Sequence, residues 1–166
     1  MAYSSTKKKS SGIVQISIGI LTVILVVLII AMMMIVSSIQ GTARIVNYAG
    51  LVRGKTQRIV KFEISGRQED DMIQEIESFI DGLRNGNKEL NLVRLEDSDF
   101  QTKMEELNEY FLMLKQEIMQ VRAYGADKTQ ILSKSEHFFE ICDEATGLAE
   151  VYSQRKASSL SVLEKY

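Results

Sequence analysis

Apolar residues follow two different patterns along the chain. From Ile13 to Val36 they form a nearly continuous run, IVQISIGILTVILVVLIIAMMMIV, broken only by Gln15, Ser17, Gly19 and Thr22. At 1.5 Å rise per residue a helix over this run covers roughly 36 Å, enough to cross a bilayer. A cleaved signal peptide has an apolar core of only about 7 to 15 residues, so the run reads as an uncleaved anchor. Beyond it the apolar positions recur every three or four residues and the breaks fall at glycine, which is the signature of amphipathic helices.

Four helices fit that periodicity. The first leaves the membrane segment and runs to about Ser65, stopping at Gly66. The second carries Met72, Ile73, Ile76, Phe79, Ile80 and Leu83 on one face, starts behind Asp70 and Asp71, and stops at Asn85-Gly86-Asn87. A looser connection, residues 88–97, follows. The third opens with the capping-box spacing Ser98-Asp99-Phe100-Gln101 and repeats Met104, Leu107, Phe111, Leu114, Ile118 and Val121 before Tyr124-Gly125. The fourth opens at Asp127 and points Ile131, Leu132, Phe138, Phe139, Cys142, Ala145, Ala149 and Tyr152 inward. Short glycine-containing links favour antiparallel neighbours. The expected fold is all-α: an N-terminal transmembrane helix continuing into an antiparallel up-down-up-down four-helix bundle. Its parts are a cytoplasmic basic tail (residues 1–12), the membrane helix (13–36) and an extracytoplasmic bundle (37–166). Because the fourth helix returns towards the bilayer, a second membrane span and an output domain are expected to follow.

Charge sharpens this division. No charged residue lies between Ser10 and Ala43, while all 22 acidic residues and 17 of the 20 basic ones lie after Ala43. Lys7, Lys8 and Lys9 precede the apolar run and Arg44 is the first charge after it, so the positive-inside rule keeps the N-terminus in the cytoplasm and puts the bundle outside an inner or plasma membrane. The acidic excess of the bundle argues against a nucleic-acid partner. A single cysteine, Cys142, excludes an intrachain disulfide scaffold and reads as a small buried hydrophobe.

The first helix beyond the membrane has two apolar stripes where a bundle needs one. Ala43, Val46, Gly50, Arg53, Gln57, Val60 and Ile64 are spaced as a heptad seam, and Ile45, Ala49, Val52, Thr56 and Ile59 lie beside it. The spare face points to a homodimer in which this helix meets its own copy. Arg53 sits in the middle of the seam between Gly50 and Gly54, residues that let backbones approach closely. Two guanidinium groups about 6 to 7 Å apart across a two-fold axis repel by roughly 2 to 3 kcal/mol at an effective dielectric of about 20. An anion about 4 Å from each reverses the sign, gaining on the order of 4 kcal/mol per arginine before desolvation, and a planar oxyanion matches the guanidinium fork. The competing expectation is that Arg53 pairs with a carboxylate, such as Glu63 or one on another helix, or reaches solvent.

The stretch from Ile45 to Arg58, IVNYAGLVRGKTQR, resembles the motif of the NarX-like and PilJ-like sensor domains, roughly I-N-x-A-G-x-x-R-M-x-S-x-R just outside the first membrane helix. These are the extracytoplasmic bundles of nitrate and nitrite sensor kinases and of type IV pilus chemotaxis transducers. Gly54 stands where that motif has Met, and Thr56-Gln57 replaces its Ser-containing pair. The resemblance implies a dimeric four-helix sensor between two membrane spans, followed by a cytoplasmic kinase, cyclase or chemotaxis module. It also implies that Arg53 corresponds to the arginine that binds one anion jointly from both subunits, with Asn47, Ala49, Gly50 and Arg58 at the other motif positions.

Other constellations carry less. His137 with Glu136 and Glu140 lacks the paired Glu-x-x-His spacing of a bundle di-iron site. Met32, Met33 and Met34 lie in the span, and Glu105-Glu106 and Glu69-Asp70-Asp71 read as solvated or helix-start charges. With no nucleophile beside a base, no phosphate loop and no paired catalytic carboxylates, neither an enzymatic activity nor a cofactor or metal is expected of this chain. The leading expectation is a membrane-anchored, ligand-binding and signal-transducing sensor domain of a bacterial receptor acting in chemotaxis or a two-component system. The alternatives are a single-span helical bundle that dimerises or scaffolds without a small ligand, and a bundle with a peptide- or lipid-binding groove.

Overall fold

The computed structural model describes residues 5–125 and 127–163. It contains four helices, α1 (Ser5–Ile64), α2 (Asp70–Asn85), α3 (Ser98–Tyr124) and α4 (Lys128–Leu163), and the described residues form no strand beyond one isolated bridge between Asn87 and Leu92. The chain divides into two units after Ser38. The first holds the apolar run, whose side chains are exposed apart from the half-buried Ile35, as expected of a segment whose surroundings would be lipid. Among the described residues α1 is the one helix long and apolar enough to cross a membrane.

The second unit is an antiparallel four-helix bundle, and pairs of side chains fix the direction of each neighbour. Tyr48 packs edge-on against Phe79 while Lys55 reaches Glu75, so α2 descends beside α1. Arg84 meets Glu105 and Arg122 meets Asp70, so α3 ascends beside α2. Phe111 lies on Phe138 and Lys103 on Glu144, so α4 descends beside α3. Lys128 donates to the Ile64 carbonyl and Arg53 to Asp143, which closes α4 on α1. The expected up-down-up-down order holds.

The core follows the anticipated faces of α2 and α3: Ile73, Ile76, Phe79, Ile80 and Leu83 pack with Phe100, Met104, Leu107, Phe111, Leu114, Ile118 and Val121. Each full burial of such a side chain contributes about 1.5–3 kcal/mol. On α4, Ile131, Phe138, Ile141, Cys142, Ala145 and Ala149 are buried. Leu132 and Phe139, both expected inside, are not in the core: Leu132 is 45% exposed and Phe139 half-buried, because each lies one position past a buried residue, Ile131 and Phe138, and is turned off the core stripe.

Helix ends depart from expectation in one case. α1 closes on Gly66 at φ +80, with Gly66 N–H bonding Glu63 O and Arg67 N–H bonding Phe62 O, a Schellman cap. The cap of α3 is Asp97 rather than Ser98: the Asp97 carboxylate accepts from Phe100 N–H at 3.0 Å, and Gln101 reaches back to the Leu95 carbonyl instead of completing a capping box. Asp127 caps α4, accepting from Thr129 N–H and Oγ1. The connection 86–97 is also tighter than its polarity implied. Asn87 and Leu92 exchange two backbone hydrogen bonds, the Asn87 side chain accepts from Glu89 and Leu90 N–H, and Leu92 and Leu95 enter the core.

Candidate functional site: the groove between α1 and α4

Which α1 stripe enters the core decides what the other can do. Ile45, Ala49, Val52, Thr56 and Ile59 are buried, so the stripe beside the heptad seam is the one that builds the core. Along the seam, Ala43 and Gln57 are exposed, Val46, Gly50, Arg53 and Ile64 are half-buried, and only Val60 is fully inside. The seam therefore forms the α1 wall of a groove whose other wall is α4.

Arg53 occupies the middle of that groove. Its Nη1 donates to Asp143 Oδ1, and its guanidinium lies 4.8 Å from the centre of the Phe139 ring, one turn along α4 from Asp143. Both charged side chains stay accessible, 38% for Arg53 and 47% for Asp143. A Cβ built on Gly50, one turn before Arg53, would meet open space, as would one on Gly54. Within one chain these glycines bring no backbone close. Four residues and more before Gly50, Ile39, Thr42, Ala43 and Val46 line an open cavity of about 230 Å³ with Glu150, Ser153 and Gln154.

The expectation that Arg53 meets a carboxylate on another helix is the one the single chain realises, but the partner is Asp143. Glu63 belongs to a different site. It is buried, accepts from Arg122 Nε at 3.0 Å and from Nη2, while Arg122 Nη1 donates to Asp70 at 2.5 Å. These hydrogen bonds, led by the one to Glu63, raise the affinity of the Arg122 guanidinium for its proton against the opposing effect of burial. The pair joins α1, α3 and α2 at the end of the bundle where α1 stops.

The four sequence-selected site residues are not all brought together by one chain. At about 100° per residue, Asn47 and Arg58 lie roughly 120° and 140° around α1 from Arg53. Both are exposed, and Arg58 rests over the Phe62 ring at 5.3 Å. Gly50 and Arg53 share the groove. Phe139, which the sequence pattern assigned to the core, and Asp143, which it did not single out, complete the arginine's surroundings. Their only signal was spacing: one turn apart on α4, immediately outside the buried Phe138 and Cys142.

No family model matches the chain, and no curated protein matches it. Among solved structures it is similar to the ligand-binding domain of the P. aeruginosa nitrate receptor McpN, with a TM-score of 0.60 at 18% identity, over 66% of this chain and 96% of that one. The bundle has the fold of a receptor's ligand-binding domain. At this identity the likeness is one of architecture, and it spans nearly all of the neighbouring domain.

Proposed function

We propose that this chain is the sensory part of a bacterial transmembrane receptor, of the NarX-like and PilJ-like kind. In this reading the apolar run 13–36 is the membrane anchor and the bundle is the extracytoplasmic ligand-binding domain. It works as a homodimer through α1 and takes a small oxyanion at Arg53. The observation that carries the reading is the match of the bundle to a whole ligand-binding domain, on a chain that also holds one apolar run of membrane length. Arg53 supports the ligand class. It is the arginine of the motif-like stretch, it stands in an accessible groove, and its partner Asp143 is an exposed one, a kind of ion pair whose net contribution is about 0–1 kcal/mol. A facing copy of the same seam would bring a second guanidinium to the same anion.

The test uses the full chain in lipid nanodiscs, titrated calorimetrically with nitrate, nitrite and chloride, with stoichiometry referred to the oligomer found by analytical ultracentrifugation. One oxyanion per dimer is expected to bind, and Arg53→Lys, which keeps the charge but loses the planar fork, is expected to weaken it at least tenfold. No binding of any anion, or binding indifferent to Arg53→Lys and Arg53→Ala, overturns the anion site. A dimer that forms equally with and without anions and binds none would leave the scaffold reading in its place.

A further inference from the structure

We infer that Asp143 is a built-in occupant of the anion position on Arg53, so that a ligand anion must displace it and Asp143 thereby sets both the affinity and the selectivity of the site. The inference rests on the anion-site reading above and goes beyond it, by assigning a competitor that neither the seam nor the motif-like stretch contains.

Three observations carry it. First, the Asp143 carboxylate holds the guanidinium at one nitrogen, Nη1, and not as a two-point fork. A planar oxyanion that engages two guanidinium nitrogens has the better geometry. Second, the arginine is held independently of Asp143. Its guanidinium lies on the Phe139 ring, and its helix is fixed on the neighbouring stripe by Val52 and Thr56, both buried. Loss of the carboxylate therefore leaves the guanidinium where it stands. Third, there is room for a replacement, because the space beside Gly50 is open and both partners of the ion pair are accessible.

The same contact accounts for how a dimer can exist without ligand. With Asp143 bound, each Arg53 presents a nearly neutral pair to its copy, and the repulsion of two bare guanidinium groups does not arise. An arriving anion then exchanges two intrachain pairs for one shared by two arginines. Selectivity follows from this exchange: a spherical ion, which cannot engage two guanidinium nitrogens in one plane, does not outcompete a tethered carboxylate, whereas a fork-matching oxyanion shared by two arginines does. The exchange also removes one of the two contacts that Arg53 makes with α4, the Phe139 contact staying in place, which makes Asp143 the residue through which binding is felt on the second helix.

Nitrate titrations of the full chain in nanodiscs test the inference with three variants. Asp143→Asn is expected to raise nitrate affinity about fivefold or more and to narrow the preference for nitrate over chloride. Glu140→Gln removes the same charge one turn away on the same helix from a carboxylate that contacts His137 and not Arg53. It is expected to change affinity less than twofold, which separates displacement from a general field. Arg53→Lys is expected to abolish the gain in the double variant with Asp143→Asn. Equal gains in Asp143→Asn and Glu140→Gln, or an unchanged or weaker affinity in Asp143→Asn, overturn the competitor role while leaving the anion site standing. Nitrate binding that ignores Arg53, or is absent from both the unsubstituted chain and Asp143→Asn, overturns the anion site and the competitor with it. A shared melting temperature among the variants, expected because the ion pair is exposed, confirms that they are compared as folded proteins.

Discussion

Cys142 lies next to Asp143 in sequence but about 100° around the helix from it, fully inside the core. Burial pushes its thiol up to about 12, against the pull of the Arg53 charge and with a smaller push from Asp143. The sign of the pH effect follows. Above pH 9 the thiol of the unfolded chain ionises while the folded one stays protonated, so the unfolded state binds fewer protons and stability falls from about pH 9 to pH 12. The slope approaches about 1.4 kcal/mol per pH unit for this group. Denaturant unfolding of the unsubstituted chain and of Cys142→Ala between pH 8 and 11 isolates it, since lysines and tyrosines titrate in both. The difference between the two is expected to shrink as pH rises, and a constant difference would mean that the thiol ionises in the fold. The spacing of Cys142 between Phe138 and Ala145 made this burial legible in the sequence. The meeting of Arg53 with Asp143, 90 positions apart, was not, because periodicity shows which face a residue takes and not which residue faces it.

At the scale of the helices, the faces of α2 and α3 were legible throughout, since each has one apolar stripe to bury. α1 has two, and the sequence left open which is inside; the structure chooses the stripe that runs Ile45, Ala49, Val52, Thr56, Ile59 and on to Glu63. That final carboxylate on a core stripe was a readable demand for a buried cation. Its supplier, Arg122, lies off the apolar repeat of α3 and so escaped notice. The two arginines that tie α1 to its neighbours, Arg53 of α1 itself and Arg122 of α3, therefore differ in kind. Arg53 is accessible and replaceable, whereas Arg122 is 12% exposed and neutralises a glutamate that is 3% exposed. Removing one partner of such a pair leaves a buried charge, at a cost of about 3 kcal/mol or somewhat more. Arg122→Met is accordingly expected to destabilise the bundle by about that amount in urea unfolding. The double variant Glu63→Leu with Arg122→Met is expected to recover most of it, because an apolar pair fills the space without an orphaned charge. Arg53→Ala should change stability by less than about 1 kcal/mol. If Arg122→Met were as mild as Arg53→Ala, the Glu63–Arg122 pair would not be the fastening that holds the end of α1.

For the whole molecule, the sequence made the division at the end of the apolar run plain, because hydropathy and charge change together there. Mean hydropathy of −0.04 averages a strongly apolar segment with a polar acidic bundle. The connection 86–97 was the exception. Its Asn, Glu and Arg residues read as open loop, while its fold depends on two leucines and a backbone bridge that local composition does not reveal. Orientation is the property on which the sensory reading turns, since a bundle that samples external solutes must lie outside. Lys7, Lys8 and Lys9 before the run, with no charge after it until Arg44, predict that arrangement. Expressed in a bacterial inner membrane, the bundle is expected to be cut by trypsin added to spheroplasts. The first sites are expected at Lys88 and Arg94, exposed in the connection 86–97. In inverted membrane vesicles the same bonds should be protected. Replacing all three lysines by glutamate should erode that asymmetry, because the retained positive charge is what holds the N-terminus inside. Cleavage in inverted vesicles and protection in spheroplasts would put the groove and Arg53 in the cytoplasm, and an extracytoplasmic anion sensor would then be the wrong reading of the same bundle.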